Sequence, residues 1–312
     1  MSGLVCVVDR RGSSLEYAAG VLTVRSPENP LWRVGVSQLS LLIVHGRVIA
    51  DTTVWRGLAD AGVGVALTGG RHGDDVAWLA AGLSTTGALR QRQHLAHADP
   101  ARRMNIARWV FEEKIEAMRS EIEQGWLSNS DRLRHAFSRA EATVNLARDI
   151  ASLSGVEGAL AADWFAALAS SVEARWSFHG RNRRPPRDPL NALLSYGYAF
   201  ACADALAAVQ RLGFDPAIGF LHDIYPGRYS LPLDAMECLR PCVDRVAVKL
   251  LESELTPENF SDDPIKGCRL DKTARLALIR GWHQAREVSV ERALSRWCHT
   301  LRTRLGEEPA PF

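Results

Sequence analysis

A change of hydrophobic period near residue 80 divides this 312-residue chain into two parts that cannot share one architecture. Before it, LVCVVD, EYAAGVLTVRS, LWRVGV and LSLLIVHG are short runs rich in β-branched residues. Gly12, Gly20, Pro27, Asn29 and Pro30 separate them, the pattern of strands divided by turns. DTTVWRGLADAG interrupts the strands as a short helix: Asp51 and the two threonines offer a cap, and Val54, Leu58 and Ala61 recur at helical spacing. VGVALTG returns to strand. Strands this short do not suit a doubly wound nucleotide-binding fold. Beyond residue 100, Ile106, Val110, Ile115 and Met118 keep helical spacing, and further helices are expected over 131–153, 155–176, 189–212, 231–254 and 270–304. The expected class is α+β: a small β-rich N-terminal domain over 1–80, a linker over 81–100, and an all-α C-terminal domain over 101–312.

Two loops punctuate the helices. RNRRPPRDP (181–189) is basic; its prolines are expected to stop one helix and its Asp188-Pro189 pair to start the next. TPENFSDDPIKG (256–267) is an acidic loop. Gly62, Gly64, Gly69, Gly70 and Gly73 match neither a phosphate loop nor G-x-G-x-x-G, and read as turn glycines at strand ends.

Composition removes several classes. With 46% hydrophobic and 24% charged residues, the bulk of the chain is not disordered. No run of roughly 20 apolar residues predicts a membrane span, and MSGLVCVVDRRG lacks the basic and apolar regions of a signal peptide. A cytoplasmic location without membrane contact is expected. The six cysteines are scattered, with only Cys238 and Cys242 close, so free thiols in a reducing compartment are expected rather than disulfides or a zinc site. A net charge of +2 argues against a uniformly basic nucleic-acid binder, but residues 266–304 hold ten Lys/Arg against three acids. The charge is segregated, and segregated charge is compatible with DNA.

The segment GFDPAIGFLHDIYPGRYSLPLDAMECLRP (213–241) is where chemistry concentrates. His222 closes a short apolar run, a Pro/Gly loop follows, and a helix beginning near residue 231 carries Asp234 and Glu237. Their i, i+3 spacing sets both carboxylates on one face. Two carboxylates with an imidazole suit Mg²⁺ or Mn²⁺ better than a soft metal. Read alone, the same residues also describe acids near a helix N-terminus and a histidine satisfied in the core.

Taken together, the pieces GFLH, PGR, SL, LDAME and RP resemble the signature of the CRISPR-associated endonuclease/integrase that captures new spacers. DPLNALLSYGYAF (188–200) is similar to that family's Asn/Tyr helix. GVEGALAADWFAAL (155–168) is similar to its Gly-x-Glu-Gly helix, and residues 86–115 to its Arg-x-x-Gln and Ala-Arg…Lys-Ile helices. The resemblance covers nearly the whole chain. It implies a helical catalytic domain in which Glu157, His222 and Glu237 bind Mg²⁺ or Mn²⁺. It also implies that Asp234 orients His222 or assists proton transfer. Asp223 stands where Glu is common, Ala235 replaces Leu, and Cys238 replaces a second acid; none of these removes a ligand.

The activity implied is metal-dependent DNA cleavage and insertion of short fragments into a CRISPR array by 3′-hydroxyl attack. The partners implied are double-stranded and branched DNA, a second copy of the chain joined through the N-terminal domain, and a small ferredoxin-fold adaptation protein bridging two dimers. Rival readings are a transposon-encoded integrase with the same site and a catalytically silent DNA-binding scaffold. Arg181, Arg183, Arg184 and Arg187, with Arg228 and Arg240, read as DNA-phosphate contacts. Arg275, Arg286, Arg292 and Arg296 form a second candidate track beside Leu276, Ile279, Trp282 and Leu294, which read as core. Trp282 and Trp297 are also candidates for base stacking.

Overall fold

In the N-terminal part, β-branched runs pair into two sheets around one apolar cluster. The computed structural model describes residues 4–10, 12–27, 30–69, 75–79, 87–127, 130–182 and 185–306. The order is β1 (Leu4–Val8), β2 (Ser13–Ala18), β3 (Val21–Arg25), β4 (Trp32–Gly35), β5 (Leu39–His45), β6 (Val48–Ala50), α1 (Thr52–Asp60), β7 (Gly64–Gly69) and β8 (Asp75–Leu79). One sheet runs β1-β5-β7-β8, parallel except for its last pair; the other runs β4-β3-β2-β6, antiparallel except for β2 with β6. EYAAGVLTVRS is therefore a hairpin, and Gly20 at φ +77° supplies the left-handed turn that a larger residue would resist. Asp51 caps α1 by accepting from the backbone N–H of Thr53 and Val54. Leu15, Leu22, Leu42, Val44, Val54 and Leu58 close the core shared by both sheets and α1.

The helical part comprises α2 (Gly87–Ala98), α3 (Pro100–Glu123), α4 (Ser130–Val144), α5 (Ile150–Ser171), α6 (Pro189–Arg211), α7 (Ser230–Met236) and α8 (Arg240–Ser253). It ends with β9 (Phe260–Asp263), β10 (Gly267–Leu270), α9 (Lys272–Ala285) and α10 (Glu291–Arg304). Asp99 caps α3, with Pro100 as its first residue. α3 is the central helix: it packs on α4, α5, α8 and the 3-10 turn Glu237–Leu239 that joins α7 to α8.

By contacts the chain separates into two compact units, Met1–Gly87 with Leu206–Phe214, and Ala88–Ala205 with Asp215–Phe312. The first unit thus takes in the end of α6 and the turn after it, where Leu206, Val209 and Phe214 are buried.

Several expectations need correction. Within 81–100, residues 87–98 are helix, not linker, with Leu89, Gln93 and Ala96 buried at i, i+4, i+7. α4 stops at Val144 and α5 restarts at Ile150, because Asp149 and Ser152 form a reciprocal capping box there. α5 ends at Ser171, well before the prolines of the basic loop. The second half of that loop behaves as expected: Asp188 Oδ1 accepts from the backbone N–H of Asn191 and α6 begins at Pro189. The acidic loop holds the hairpin β9–β10, so the C-terminal part is mostly rather than wholly helical. Gly267 at φ +73° turns that hairpin, and Asp263 Oδ1 accepts from Ile265 and Lys266 N–H. α6 is long and apolar enough to cross a membrane by length and composition, but 67% of its most apolar window is buried inside the protein. All six cysteines are free thiols, five of them buried. Asn29, Gly70, Gly73, Arg183 and Arg184 lie outside the described residues.

Candidate active site

The segment between Asp215 and Tyr229 has no helix or strand, so its backbone polar groups need partners from elsewhere. Helices α2 and α3 provide them. Gln93 donates from Nε2 to the carbonyls of Asp215 (2.9 Å) and Ile218 (2.7 Å), and its Oε1 accepts the Asp215 N–H. His97 Nδ1 lies 2.7 Å from the Gly219 carbonyl oxygen. Arg103 donates from Nε to the Phe220 carbonyl and from Nη2 to Asp223 Oδ1. A Cβ on Gly219 would stand 2.7 Å from the carbonyl oxygen of His222, so this close approach requires glycine.

Asp234 completes the clasp from α7. Fully buried, it accepts from the backbone N–H groups of Phe220, Leu221 and His222, and its Oδ1 lies 2.8 Å from His222 Nδ1. A carboxylate facing Nδ1 keeps that nitrogen protonated, so in the neutral ring the lone pair sits on Nε2. Nε2 is 4.0 Å from Glu237 Oε1. One imidazole is thus set between two carboxylates, the first binding its back and the second facing its front. The helix expected to carry both acids changes to a 3-10 turn at Glu237.

Glu237 is buried and meets two cations. Arg240 Nε donates to Oε1 at 2.7 Å, and Lys114 Nζ stands 2.7 Å from Oε2. Burial would raise the Glu237 pKa, but the charges of Arg240, Lys114 and His222 outweigh it and hold the carboxyl far below its ordinary range. Lys114, itself buried on α3, also contacts Glu157 Oε1 from α5. The ammonium therefore lies between the two glutamates.

These groups line one cleft of about 220 Å³. Its other wall is aromatic and cationic. Asp244 on α8 accepts from Tyr198 Oη (2.6 Å) and Trp164 Nε1 (2.8 Å), and burial pushes its pKa up to about 6. The guanidinium groups of Arg181 and Arg240 lie over the Tyr198 ring, 5.3 Å and 4.7 Å from its centroid. Arg181 is tied further to Asn191 Oδ1 and Ser195 Oγ.

Among the described residues, no group of three or more His, Cys, Asp and Glu side chains is closed around a metal position. At this cleft Lys114 Nζ stands between the carboxylates of Glu157 and Glu237. The donor chemistry nevertheless fits a hard divalent cation: two carboxylates and an imidazole presenting Nε2.

The arginines expected on DNA divide. Arg181 and Arg240 line the cleft, whereas Arg187 and Arg228 are exposed, the latter over the Tyr225 ring and donating to the Asp223 carbonyl. The C-terminal candidates are mostly structural. Arg286 is buried against Asp204 at 3.0 Å, which removes it from any surface track. Arg296 pairs with Glu113, and Arg275 donates to the Leu270 carbonyl; Arg292 is exposed. Trp282 is buried and donates to Asp204, while Trp297 is buried against Trp109, so neither ring is available to a base. Leu276 is 38% exposed and not core, unlike Leu294.

The family model for CRISPR associated protein Cas1 matches residues 6–284. The chain belongs to the Cas1 family. It is 31% identical over 288 residues to a CRISPR-associated endonuclease Cas1 of Thermus thermophilus, covering 90% of this chain and 83% of that one. A CRISPR-associated endonuclease Cas1 of Leptospira interrogans is 32% identical over 219 residues, 66% of this chain and 85% of the relative. Among solved structures, a Cas1 protein from Thermotoga maritima superposes with a TM-score of 0.86 at 22% identity, covering 98% of each chain. A casposase bound to integration product superposes with a TM-score of 0.85 at 18% identity, over 97% of this chain and 91% of that one. At these identities the likeness is one of fold.

Within this Cas1 chain, sequence reasoning gives no role to three residues that line the cleft, Lys114, Tyr198 and Asp244, or to Arg103, which holds the Phe220 carbonyl. Lys114 carries a usable signal. Val110, Lys114 and Met118 follow one another at i, i+4, i+8, which puts a lysine in the middle of an apolar stripe. Asp244 gives the same signal between Val243 and Val246. A charge on a core stripe needs a partner, and both are found in the cleft.

Proposed function

We propose that this chain is a divalent-metal-dependent DNA endonuclease and strand-transfer integrase that inserts short DNA fragments as new spacers into a CRISPR array. The observation that carries this reading is that Glu157, His222 and Glu237, from separate segments of a Cas1-family chain, line one cleft. Similar proteins support it: the Thermus and Leptospira relatives are CRISPR-associated endonucleases, and the fold is shared with a Cas1–DNA complex, a casposase bound to integration product and a Cas6-RT-Cas1–Cas2 complex. By extension we assign double-stranded and branched DNA as substrate, homodimerisation through the N-terminal unit, and a small ferredoxin-fold adaptation protein as partner.

Glu157, His222 through Nε2, and Glu237 would hold Mg²⁺ or Mn²⁺. When bound, such an ion neutralises the non-bridging oxygens of a phosphodiester and makes the attacking hydroxyl or water more acidic. Asp234 fixes the tautomer and direction of His222, which makes His222 a ligand rather than a general base. Arg240 and Lys114 offset the glutamate charges, so an anionic backbone is not repelled from the cleft. In strand transfer the 3′-hydroxyl oxygen of the incoming fragment forms a new bond to phosphorus. The bond from that phosphorus to the 3′ oxygen of the target strand breaks, and the released 3′ oxygen takes a proton. One phosphodiester replaces another, so no external energy source is needed. In cleavage, water takes the place of the hydroxyl.

The test is joining of a short duplex with free 3′-hydroxyls to a plasmid carrying the cognate repeat, with Mg²⁺ or Mn²⁺ and with chelator. Wild-type protein is expected to yield joined product only with metal. Glu157→Ala, His222→Ala and Glu237→Ala should each lose about 100-fold or more while keeping wild-type circular dichroism. Full joining by all three variants would sink the assignment.

A further inference from the structure

The cleft holds its own cation. Lys114 Nζ contacts Glu157 Oε1 and stands 2.7 Å from Glu237 Oε2, and its side chain is 7% exposed. Arg240 takes the other oxygen of Glu237. Two carboxylates face two fixed positive charges, Asp244 on the other wall faces Arg181, and Asp234 behind His222 is satisfied by N–H donors from Phe220, Leu221 and His222. The cleft is therefore close to electrically balanced without any divalent ion. Adding one raises the local charge by two beside an ammonium and a guanidinium in a buried setting, where like charges interact strongly. A phosphodiester would restore much of the balance. It would also give Nζ an alternative acceptor within reach of a flexible four-carbon side chain.

We infer that Lys114 is a positioning residue that stands in for the divalent cation in the DNA-free protein, so that metal and DNA load the site together. The inference rests on the metal reading above. It predicts reciprocal coupling: DNA tightens metal binding, and metal tightens DNA binding by the same factor. A purely structural role for Lys114, holding α3 to α5, would leave metal affinity unchanged or weakened when the charge is removed. A stand-in role would make DNA-free metal affinity rise.

The experiment measures free Mn²⁺ by its paramagnetic resonance signal, titrating the full chain with and without a short 3′-hydroxyl duplex and subtracting the duplex alone. Wild type should bind Mn²⁺ at least about tenfold tighter with the duplex present. Lys114→Met and Lys114→Gln should each bind Mn²⁺ about tenfold tighter than wild type without DNA, and their gain on adding duplex should shrink below about threefold. Lys114→Arg, which keeps the charge, should retain the coupling. Equal wild-type affinity with and without duplex would overturn the inference and leave the metal reading standing. So would unchanged or weaker DNA-free affinity in the two neutral variants. Absence of Mn²⁺ binding by every form, with duplex or without, would overturn the metal reading itself.

Discussion

Asp234 acts on His222 from behind and is kept away from the cleft. Its Oδ2 accepts from Phe220 and Leu221 N–H and its Oδ1 from His222 N–H and Nδ1. Removing the carboxylate would strand four donors, at about 1–3 kcal/mol for each left unsatisfied, so Asp234→Ala should not fold stably. Asp234→Asn is more informative. Its oxygen can serve the Phe220 and Leu221 N–H pair, which turns the amide NH₂ toward His222 and gives up the bond from the His222 backbone N–H. The ring must then accept at Nδ1 and carry its proton on Nε2, the nitrogen proposed as a ligand. We expect a folded variant whose Mn²⁺ affinity and strand transfer both fall about 10–100-fold, with nitrogen NMR of the imidazole reporting the exchanged tautomer. An unchanged tautomer with lost activity would separate Asp234 from ring orientation. His222, Asp234 and Glu237 stood out in the sequence through local motif spacing, whereas Glu157 was singled out only by the family resemblance. Arg103 and Gln93 as clasps were not legible, because their partners are backbone carbonyls more than 100 residues away, and a carbonyl leaves no mark in the sequence.

At the scale of elements, α6 and α8 each carry a buried aspartate that accepts an indole N–H: Trp282 to Asp204, and Trp164 to Asp244. Burial pushes both carboxyls up to about 6, against Arg286 at Asp204 and against the Tyr198 and Trp164 hydrogen bonds at Asp244. A raised folded pKa means the native state binds the proton more tightly than the unfolded chain. Each aspartate therefore costs stability as pH rises from about 4 to about 6, by up to about 3 kcal/mol. Glu237 has the opposite sign: with its folded pKa far below 4.5, its contribution is present above that value and is lost as pH falls. Asn at 244 can accept from Trp164 and donate to the Tyr198 oxygen. Asp244→Asn should accordingly gain stability relative to wild type as pH rises from 4 to 6, read from melting temperatures, and the gap should level off above that. A pH-independent gap would mean that Asp244 is ionised at both ends of the range. The helices themselves were legible wherever an apolar stripe continued. The break before α5 was not, since it comes from the Asp149–Ser152 capping box rather than from proline or glycine. The β9–β10 hairpin was hidden because FSDD and GCRL contain no β-branched residue.

For the whole molecule, the net charge of +2 conceals a division that sequence counting located only in part. The C-terminal excess of bases is partly neutralised in place: Arg286 against Asp204, Arg280 against Glu254, Arg269 near Asp263 and Arg296 with Glu113. Exposed Arg187 and Arg228 lie instead on the two loops whose neighbouring residues, Arg181 and His222, line the cleft. Charge that is paired internally displaces few counterions from DNA, whereas a side chain that neutralises a phosphate releases nearly one. The logarithm of the DNA association constant falls with the logarithm of salt at a slope of about 0.9 per phosphate neutralised. Arg187→Gln and Arg228→Gln should each lower that slope by about 1, measured by fluorescence anisotropy of a short duplex between about 50 and 200 mM salt. Arg269→Gln and Arg280→Gln should leave it unchanged, because their charge is already committed to acids of the same chain. If the two pairs of variants behave alike, DNA does not follow the cleft-side loops, and the C-terminal helices return as the path. A slope lowered only by Arg187→Gln and Arg228→Gln would assign the DNA track to the rim of the Glu157–His222–Glu237 cleft, where the proposed reaction puts the scissile phosphate.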